Sequence, residues 1–191
     1  MTSPRPAVQT DAGRDGAGGG MSDFKHSIRE IPNFPKEGIL FYDITTLLKE
    51  ADLFHRVIEK LASFYEDERI DKVVAIESRG FILGSALAYR LKAGFVPVRK
   101  SGKLPSDVYE TQYQLEYGSS ALAVHRDAIA NGERVLIVDD LLATGGTISA
   151  TIDLIKQLNG VIVSIAFLVE LTSLRGRNRL DGHQVISLVA Y

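Results

Sequence analysis

The sequence has no cysteine among its 191 residues. This absence excludes disulfides and thiolate chemistry, and it is compatible with a reducing compartment. Long hydrophobic runs are also lacking. None approaches the roughly 20 residues of a membrane span, and residues 1–20 hold no segment typical of a signal peptide. We therefore expect a cytoplasmic protein with no membrane partner.

An excess of charge of one sign is missing as well, because the formal net charge is -2. A nearly neutral chain gives no electrostatic reason to expect nucleic acid as a partner. Any anion that the protein binds must therefore be met by a local site. The shares of hydrophobic residues, 45%, and charged residues, 24%, are typical of a globular protein, and the length suits one domain.

Glycine is concentrated at the start of the chain, where residues 1–20 carry five glycines among proline, threonine, aspartate and arginine. Such a composition cannot bury enough apolar surface to offset the entropy lost on ordering. We therefore predict a disordered glycine-rich tail over residues 1–20, followed by a single domain over residues 21–191.

Hydrophobic periodicity in the rest of the chain predicts an α/β protein. Apolar positions at three- and four-residue spacing predict helices over residues 52–68, 81–91 and 148–158. Apolar or β-branched runs predict strands over residues 72–77, 95–99, 134–140, 161–171 and 184–190. Because strands alternate with helices, the economical fold is a doubly wound, mainly parallel sheet. Between residues 105 and 128, aromatic residues alternate with polar ones, which predicts a β-hairpin projecting from that sheet.

The strongest chemical signal is the string from Val135 to Thr147. Asp139 and Asp140 end an apolar strand, where α/β sheets bind ligands and where two carboxylates need partners such as hydroxyls. The loop after them offers backbone N–H groups at a helix N-terminus, an arrangement that binds phosphate. Its residues are Ala143, Thr144, Gly145, Gly146 and Thr147. Each piece alone also fits a strand end, a cap or a turn. Together they predict a site for a ribose with its 5-phosphate.

Two further segments are candidates for anion binding. Ser78 and Arg79 stand in a tight turn after one strand, and Arg99, Lys100 and Lys103 place three cations at the end of another. Taken alone, the first segment is also an ordinary strand–helix turn, and the second is also a solvated charged surface. Beside a phosphate site, both predict a pyrophosphate clamp, since charge-assisted hydrogen bonds are the strong kind.

The string from Val135 to Thr147 resembles the phosphoribosyl pyrophosphate signature of type I phosphoribosyltransferases. Four other segments narrow the resemblance to the adenine phosphoribosyltransferase family, in that family's order and spacing. These segments are Phe34–Ile44, Glu77–Phe81, Arg99–Pro105 and Leu115–Gly118. The similarity covers about residues 24–191. It implies the type I phosphoribosyltransferase fold and the transfer of a 5-phosphoribosyl group to adenine, giving AMP and pyrophosphate in purine salvage.

The resemblance also implies roles on the base side of the site. Phe41 and Leu141 would sandwich the adenine ring, the backbone of Leu40 would face its amino edge, and Arg79 would lie near the ring nitrogens. A backbone carbonyl accepts from a 6-amino group but leaves a 6-oxo group unpaired, at a cost of ~1–3 kcal/mol. Without the resemblance, Phe41 and Leu141 would be read as core packing.

The same resemblance makes the hairpin a flexible hood that closes over the substrates and excludes water. Glu116 would move protons on the purine, with Tyr117 beside it, although a solvated carboxylate is the alternative in an exposed hairpin. The loop of Ser78 and Arg79 would contain a non-proline cis peptide. Mg²⁺ is expected to bridge pyrophosphate and ribose oxygens without a direct protein ligand. A homodimer is implied.

Two alternatives stay open at this point. One is a transferase for 6-oxopurines or xanthine. The other is a regulator that senses phosphoribosyl pyrophosphate and binds nucleic acid, which the lack of a basic stripe disfavours. One residue, Tyr42, departs from the family pattern, because many relatives carry a basic residue there. That departure leaves in doubt any base or phosphate contact of this side chain.

Overall fold

The computed structural model describes residues 21–114 and 119–191. The predicted tail over residues 1–20 lies outside the described residues. The helices are α1 (Met21–Ser27), α2 (Thr45–Leu48), α3 (Ala51–Ser63), α4 (Gly80–Leu91) and α5 (Gly146–Gln157), with short 3-10 helices at Thr172–Leu174 and Gly176–Arg179. The strands are β1 (Arg29–Pro32), β2 (Leu40–Asp43), β3 (Lys72–Ile76), β4 (Gly94–Lys100), β5 (Val108–Gln114), β6 (Ser119–His125), β7 (Arg134–Leu142), β8 (Val161–Glu170) and β9 (Val185–Ala190).

The main sheet has the strand order β5-β6-β4-β3-β7-β8-β9. Five neighbouring strands, β4, β3, β7, β8 and β9, pair in parallel. Strands β6 and β5 continue the sheet at one edge with antiparallel pairing. Two residue pairs, Arg99↔Ala123 and Lys100↔Leu122, join the edge hairpin to β4. The predicted mainly parallel α/β sheet and its hairpin are therefore confirmed.

The central strand β7 shows why the sheet is covered on both faces. Val135, Leu136, Ile137 and Val138 are all fully buried. Leu136 and Val138 belong to the core that packs against α3 and α4. Val135 and Ile137 belong to the core on the opposite face, which α5 covers. Since neighbouring strand residues point to opposite faces, a continuously apolar strand requires a helix layer on each side.

Two features differ from the sequence predictions. Helix α3 ends at Ser63 and not near residue 68, because Tyr65 turns into the core, where its hydroxyl group lies 3.1 Å from Ser164 Oγ. The second feature is a separate two-stranded sheet formed by β1 and β2, whose short strands show no clear alternation of apolar and polar residues. In the described residues, no helix has the length and apolar character needed to cross a membrane.

Candidate active site

The site lies where β3 and β7 end, and the topology explains its position. These two strands are parallel neighbours, so their carboxyl ends lie at the same edge of the sheet. The turn after β3 carries Ser78 and Arg79, and β7 carries Asp139 and Asp140 close to its carboxyl end. A cleft with a volume of about 360 Å³ opens there. Its lining comprises Ile76, Glu77, Ser78, Arg79, Lys100, Tyr113, Leu122, Asp139, Asp140, Leu141, Ala143 and Thr147.

The phosphate loop, residues 143–147, forms a smaller concavity next to this cleft. Gly145 caps α5 with a φ of 80°, a left-handed conformation that glycine adopts without steric cost. Helix α5 begins at Gly146, so its first backbone N–H groups have no partner within the helix and point toward the loop. All five predicted loop residues line the concavity, which has the features of a phosphate-binding helix N-terminus.

Asp139 and Asp140 are neighbouring carboxyl groups with little exposure to solvent. Asp140 is 5% exposed, and its backbone N–H donates to Asp139 Oδ1 at 3.0 Å. Burial and the neighbouring Asp140 carboxylate raise the pKa of Asp139 well above its ordinary value. Burial also raises the pKa of Asp140, although the Arg79 guanidinium opposes this effect. Two such groups favour a ligand that offers hydroxyl donors.

Arg79 links the two halves of the site. Its Nε atom lies 2.7 Å from Asp140 Oδ2 in an ion pair. The N–H direction is not aligned with the oxygen, so Asp140 Oδ2 accepts no hydrogen bond from the described residues. The Arg79 guanidinium also lies over the Phe41 ring, with Cζ 5.2 Å from its centroid. This one side chain therefore connects the carboxylate pair to the strand that carries Phe41.

The three predicted pyrophosphate-binding cations have different surroundings. Lys100 lines the cleft, and Lys103 is exposed. Arg99 instead donates from Nε and Nη2 to the Glu77 carboxylate, at 3.2 and 2.9 Å, and from Nη1 to the Lys103 carbonyl. These contacts tie the loop after β4 to the loop after β3. The peptide bond between Glu77 and Ser78 is cis, as the resemblance implied.

Strand β2, which Arg79 connects to the site, carries the two predicted base-binding residues Leu40 and Phe41. Phe41 packs edge to face against Phe34, with ring centroids 5.2 Å apart, and Leu40 is exposed at the start of the strand. Leu141 lines the cleft near the carboxyl end of β7. The sandwich of adenine between Phe41 and Leu141 stays a prediction.

Two predicted residues of the hairpin, Glu116 and Tyr117, lie outside the described residues. Tyr42 is turned away from Phe41, since adjacent strand residues face opposite sides, and its ring packs at a 40° tilt against that of Tyr191, with centroids 4.1 Å apart. The departure at Tyr42 is thus accommodated by an aromatic partner behind the strand.

Four residues of the cleft lining were not among the predicted site residues: Ile76, Glu77, Tyr113 and Leu122. Glu77 holds Arg99, and Tyr113 reaches the lining from the edge hairpin. The alternation of Tyr109 and Tyr113 in β5 was the available signal, because both fall on the same face of that strand.

Comparisons with known proteins first define the class. Residues 44–186 match the family model described as phosphoribosyl transferase domain. This span includes both strand ends, the phosphate loop and the edge hairpin.

Individual relatives are more specific. The chain is 57% identical over 171 residues to the adenine phosphoribosyltransferase of Solibacter usitatus, covering 90% of this chain and 99% of that one. It is similar in structure to the adenine phosphoribosyltransferase of Thermoanaerobacter pseudethanolicus, with a TM-score of 0.87, 53% identity and coverage of 90% and 99%. The chain is also similar in structure to the adenine phosphoribosyltransferase of Saccharomyces cerevisiae, solved with an imino-altritol bisphosphate and adenine. The TM-score is 0.84 and the sequence identity 40%, and the match covers 88% of this chain and 97% of that one. The chain belongs to the adenine phosphoribosyltransferase family.

Proposed function

We propose that this chain transfers the 5-phosphoribosyl group of phosphoribosyl pyrophosphate to adenine, giving AMP and pyrophosphate, as a step of purine salvage. One observation carries the proposal: the pair Asp139 and Asp140, of which Asp140 is buried, lies shortly ahead of a phosphate loop at the edge of a cleft. The family relationship and the adenine bound by the yeast enzyme support the choice of base.

The phosphoribosyl group fits the polar half of the site. The N–H groups at the start of α5 would bind the 5-phosphate, with Thr144 and Thr147 as further donors. The carboxyl groups of Asp139 and Asp140 would accept hydrogen bonds from the ribose hydroxyls. A hydroxyl donor there would relieve the cost of the buried carboxylate pair.

Adenine fits between Phe41 and Leu141. Stacking on an aromatic ring contributes ~1–3 kcal/mol per base. The Leu40 backbone would bind the 6-amino edge, and Arg79, which already lies over the Phe41 ring, would lie near the ring nitrogens. In the reaction, the bond from the anomeric carbon to pyrophosphate breaks as the bond to the purine nitrogen forms, and that nitrogen loses its proton.

Glu116 is the proposed acceptor of this proton, with Tyr117 beside it in the hood. On the pyrophosphate side, Ser78, Lys100 and Lys103 would bind the leaving group, with Arg99 holding the clamp in shape through Glu77. The anionic product is thereby met by charge-assisted hydrogen bonds.

Magnesium is proposed to act through substrate oxygens. Among the described residues, no group of three His, Cys, Asp or Glu side chains could hold a metal ion. The two carboxylates at the end of β7 suit ribose hydroxyls and a cation shared with them. When bound, Mg²⁺ would neutralise charge on the leaving pyrophosphate.

A homodimer is also proposed. Exposed apolar side chains on α4 and β4 support it, including Ile82, Phe95 and Tyr89, which is 89% exposed. Sedimentation of the intact chain measures the oligomeric state, and Tyr89→Glu is expected to shift it toward the monomer. The cytoplasmic location stays a prediction.

A base-competition assay tests the proposed function. The chain is incubated with phosphoribosyl pyrophosphate, Mg²⁺ and one of adenine, hypoxanthine, guanine or xanthine, and nucleotide formation is measured. Adenine is expected to be used and the 6-oxopurines to react at least about a hundredfold more slowly, because a site built for an amino edge leaves its acceptor unpaired. Preferential use of hypoxanthine would favour the 6-oxopurine transferase. No nucleotide formation, together with salt-sensitive binding of nucleic acid, would favour the regulator.

A further inference from the structure

The phosphate loop rests on a segment that has no assigned role, the 3-10 helix from Gly176 to Arg179. A Cβ atom on Gly145 would lie 2.6 Å from the Gly176 carbonyl oxygen. A Cβ atom on Gly176 would in turn overlap the Ala143 carbonyl oxygen and lie 2.9 Å from Leu142 Cδ1. The two backbones are thus in direct contact, and the position of Gly176 sets the position of the loop.

This supporting segment is not held by its own helical structure. It is a single short 3-10 helix, and such turns have weaker hydrogen-bond geometry than an α-helix. The residue before it, Arg175, has a φ of 52°, a left-handed conformation that is unfavourable for arginine. Something outside the turn must therefore hold it.

The side chain next to Gly176 supplies that hold. Arg177 donates from Nε to both Glu170 carboxylate oxygens, at 2.7 and 2.9 Å, and from Nη2 to Oε2 at 2.7 Å. Its Nη1 donates to the Val185 carbonyl at 3.0 Å, and its Nη2 also lies 2.7 Å from Ser187 Oγ. Arg177 therefore joins the turn to the ends of β8 and β9.

Glu170 is suited to this role because it is buried and ionised. The residue is 6% exposed at the end of β8, and Ser187 Oγ donates to Oε2. Burial raises the pKa of Glu170, but hydrogen bonds from Arg177 and Ser187 outweigh burial and leave that pKa below its ordinary value. A planar guanidinium matched to a carboxylate gives a well-defined geometry that an ammonium group cannot reproduce.

We propose that Glu170 and Arg177 are positioning residues for the 5-phosphate: their ion pair fixes Gly176, and Gly176 fixes Gly145 in the phosphate loop. The inference rests on the proposed function only in taking the ligand of this loop to be a phosphoribosyl group. The ion pair touches no substrate, so its loss acts through the loop and on the phosphate-bearing substrates alone.

The test compares three variants. Arg177→Lys removes the forked contact but keeps the charge, and Gly176→Ala keeps the ion pair but pushes against the loop. Arg90→Lys is the matched control, since Arg90 forms a 2.7 Å ion pair with Glu59 far from the loop, and its side chain is 42% exposed against 44% for Arg177. Binding of ribose 5-phosphate is measured by calorimetry, and KM is measured for both substrates.

Arg177→Lys and Gly176→Ala are expected to weaken ribose 5-phosphate binding and raise KM for phosphoribosyl pyrophosphate by about tenfold or more, because a displacement of about 1 Å is costly in a preorganised site. KM for adenine should change less than about twofold, as should every constant of Arg90→Lys. Unchanged ribose 5-phosphate affinity in both loop variants, with only a lower Tm, would overturn the inference. Lack of AMP formation by the unaltered chain would overturn the proposed function instead. The ribose 5-phosphate affinities of the variants would still decide whether Glu170 and Arg177 position the phosphate loop.

Discussion

The two ends of the cleft are built differently. The phosphate end is one continuous segment, residues 139–147, set between the central strand β7 and helix α5, and Gly145 and Gly146 in it are buried. The proposed base end includes the two-stranded sheet of β1 and β2, where Leu40 is 41% exposed, and the nearby Phe34, which is 49% exposed. A two-stranded sheet is marginally stable by itself. The residues proposed to bind the phosphoribosyl group therefore belong to the core of the main sheet, and most of those proposed to bind the base lie in a small sheet outside it.

The largest effect is expected from Asp140→Asn at the phosphate end. The change keeps the shape but removes the charge that faces Arg79 at 2.7 Å, and it leaves the guanidinium without its ionic partner. Steady-state kinetics should show a fall in kcat/KM of at least about a hundredfold, as for loss of one group that stabilises transition-state charge.

Asp153→Asn is the control for this variant, because Asp153 lies exposed on α5 and should tolerate the same change. AMP affinity is expected to fall together with turnover in Asp140→Asn. Near-normal turnover at saturating substrate would contradict a ribose role for Asp140.

The phosphate end could be predicted from the sequence because all of its residues are close together in the chain. A strand, two carboxylates and a glycine loop follow one another in the chain, and the strand-to-helix order places them at a sheet edge. The same reasoning located the turn of Ser78 and Arg79. Segment boundaries were less accurate: α3 stops at Ser63 because Tyr65 is used as a buried anchor, a tertiary effect that periodicity does not carry.

The base end depends on contacts between residues far apart in the chain. Phe41 was identified by resemblance, and its contact with Arg79 joins residues 38 positions apart. Arg99 looked like a free cation in sequence, but its guanidinium is bound by Glu77, 22 positions away. No local pattern indicates that Arg177 supports a loop 30 residues earlier. Such pairings depend on how the strands are ordered in space.

A second prediction tests whether the base end acts on adenine alone. Phe41→Ala removes the stacking surface, so KM for adenine should rise about fivefold to a hundredfold, corresponding to ~1–3 kcal/mol. KM for phosphoribosyl pyrophosphate should change by less than about twofold, since Phe41 lies outside the phosphate concavity. Phe64→Ala, which removes a partly buried aromatic ring outside the cleft lining, controls for loss of an aromatic ring. An equal rise in both KM values would contradict the claim that the two ends bind the two substrates independently.

A third prediction concerns the support behind β2. Tyr191 stacks on Tyr42, and Lys25 Nζ lies 4.2 Å from the centroid of the Tyr191 ring. Tyr191→Ala should raise KM for adenine by about threefold to tenfold, because aromatic pairs contribute ~0.5–1.5 kcal/mol. Tyr191→Phe, which loses only the 3.2 Å hydrogen bond to the Lys25 carbonyl, is the matched control and should stay near wild type. If Tyr191→Ala loses as much affinity for phosphoribosyl pyrophosphate as for adenine, the contact between Tyr191 and Tyr42 stabilises the whole domain and not the base end alone.

The smallest effect is a pH dependence confined to the base end. Asp43 joins β1 to β2 by accepting from Arg29, and it also accepts from the Thr45 N–H and hydroxyl groups at 2.9 and 2.7 Å. These hydrogen bonds, of which the one from Arg29 has the largest effect, lower the pKa of Asp43 to about 2. Because the folded pKa lies below the unfolded value of about 3.9, the stabilisation is complete above that value and is lost as pH falls through it toward 2.

Asp43→Asn should therefore lower the free energy of unfolding by about 1 kcal/mol at pH 6, a modest figure because the Arg29 side chain is largely exposed. The difference from wild type should shrink as pH falls from about 4 to about 2, since protonation makes the wild-type side chain neutral as well. Urea unfolding across this range measures it, with Asp52→Asn as the exposed control. A difference that stays constant with pH would assign the loss to packing and not to the charge that joins the two strands.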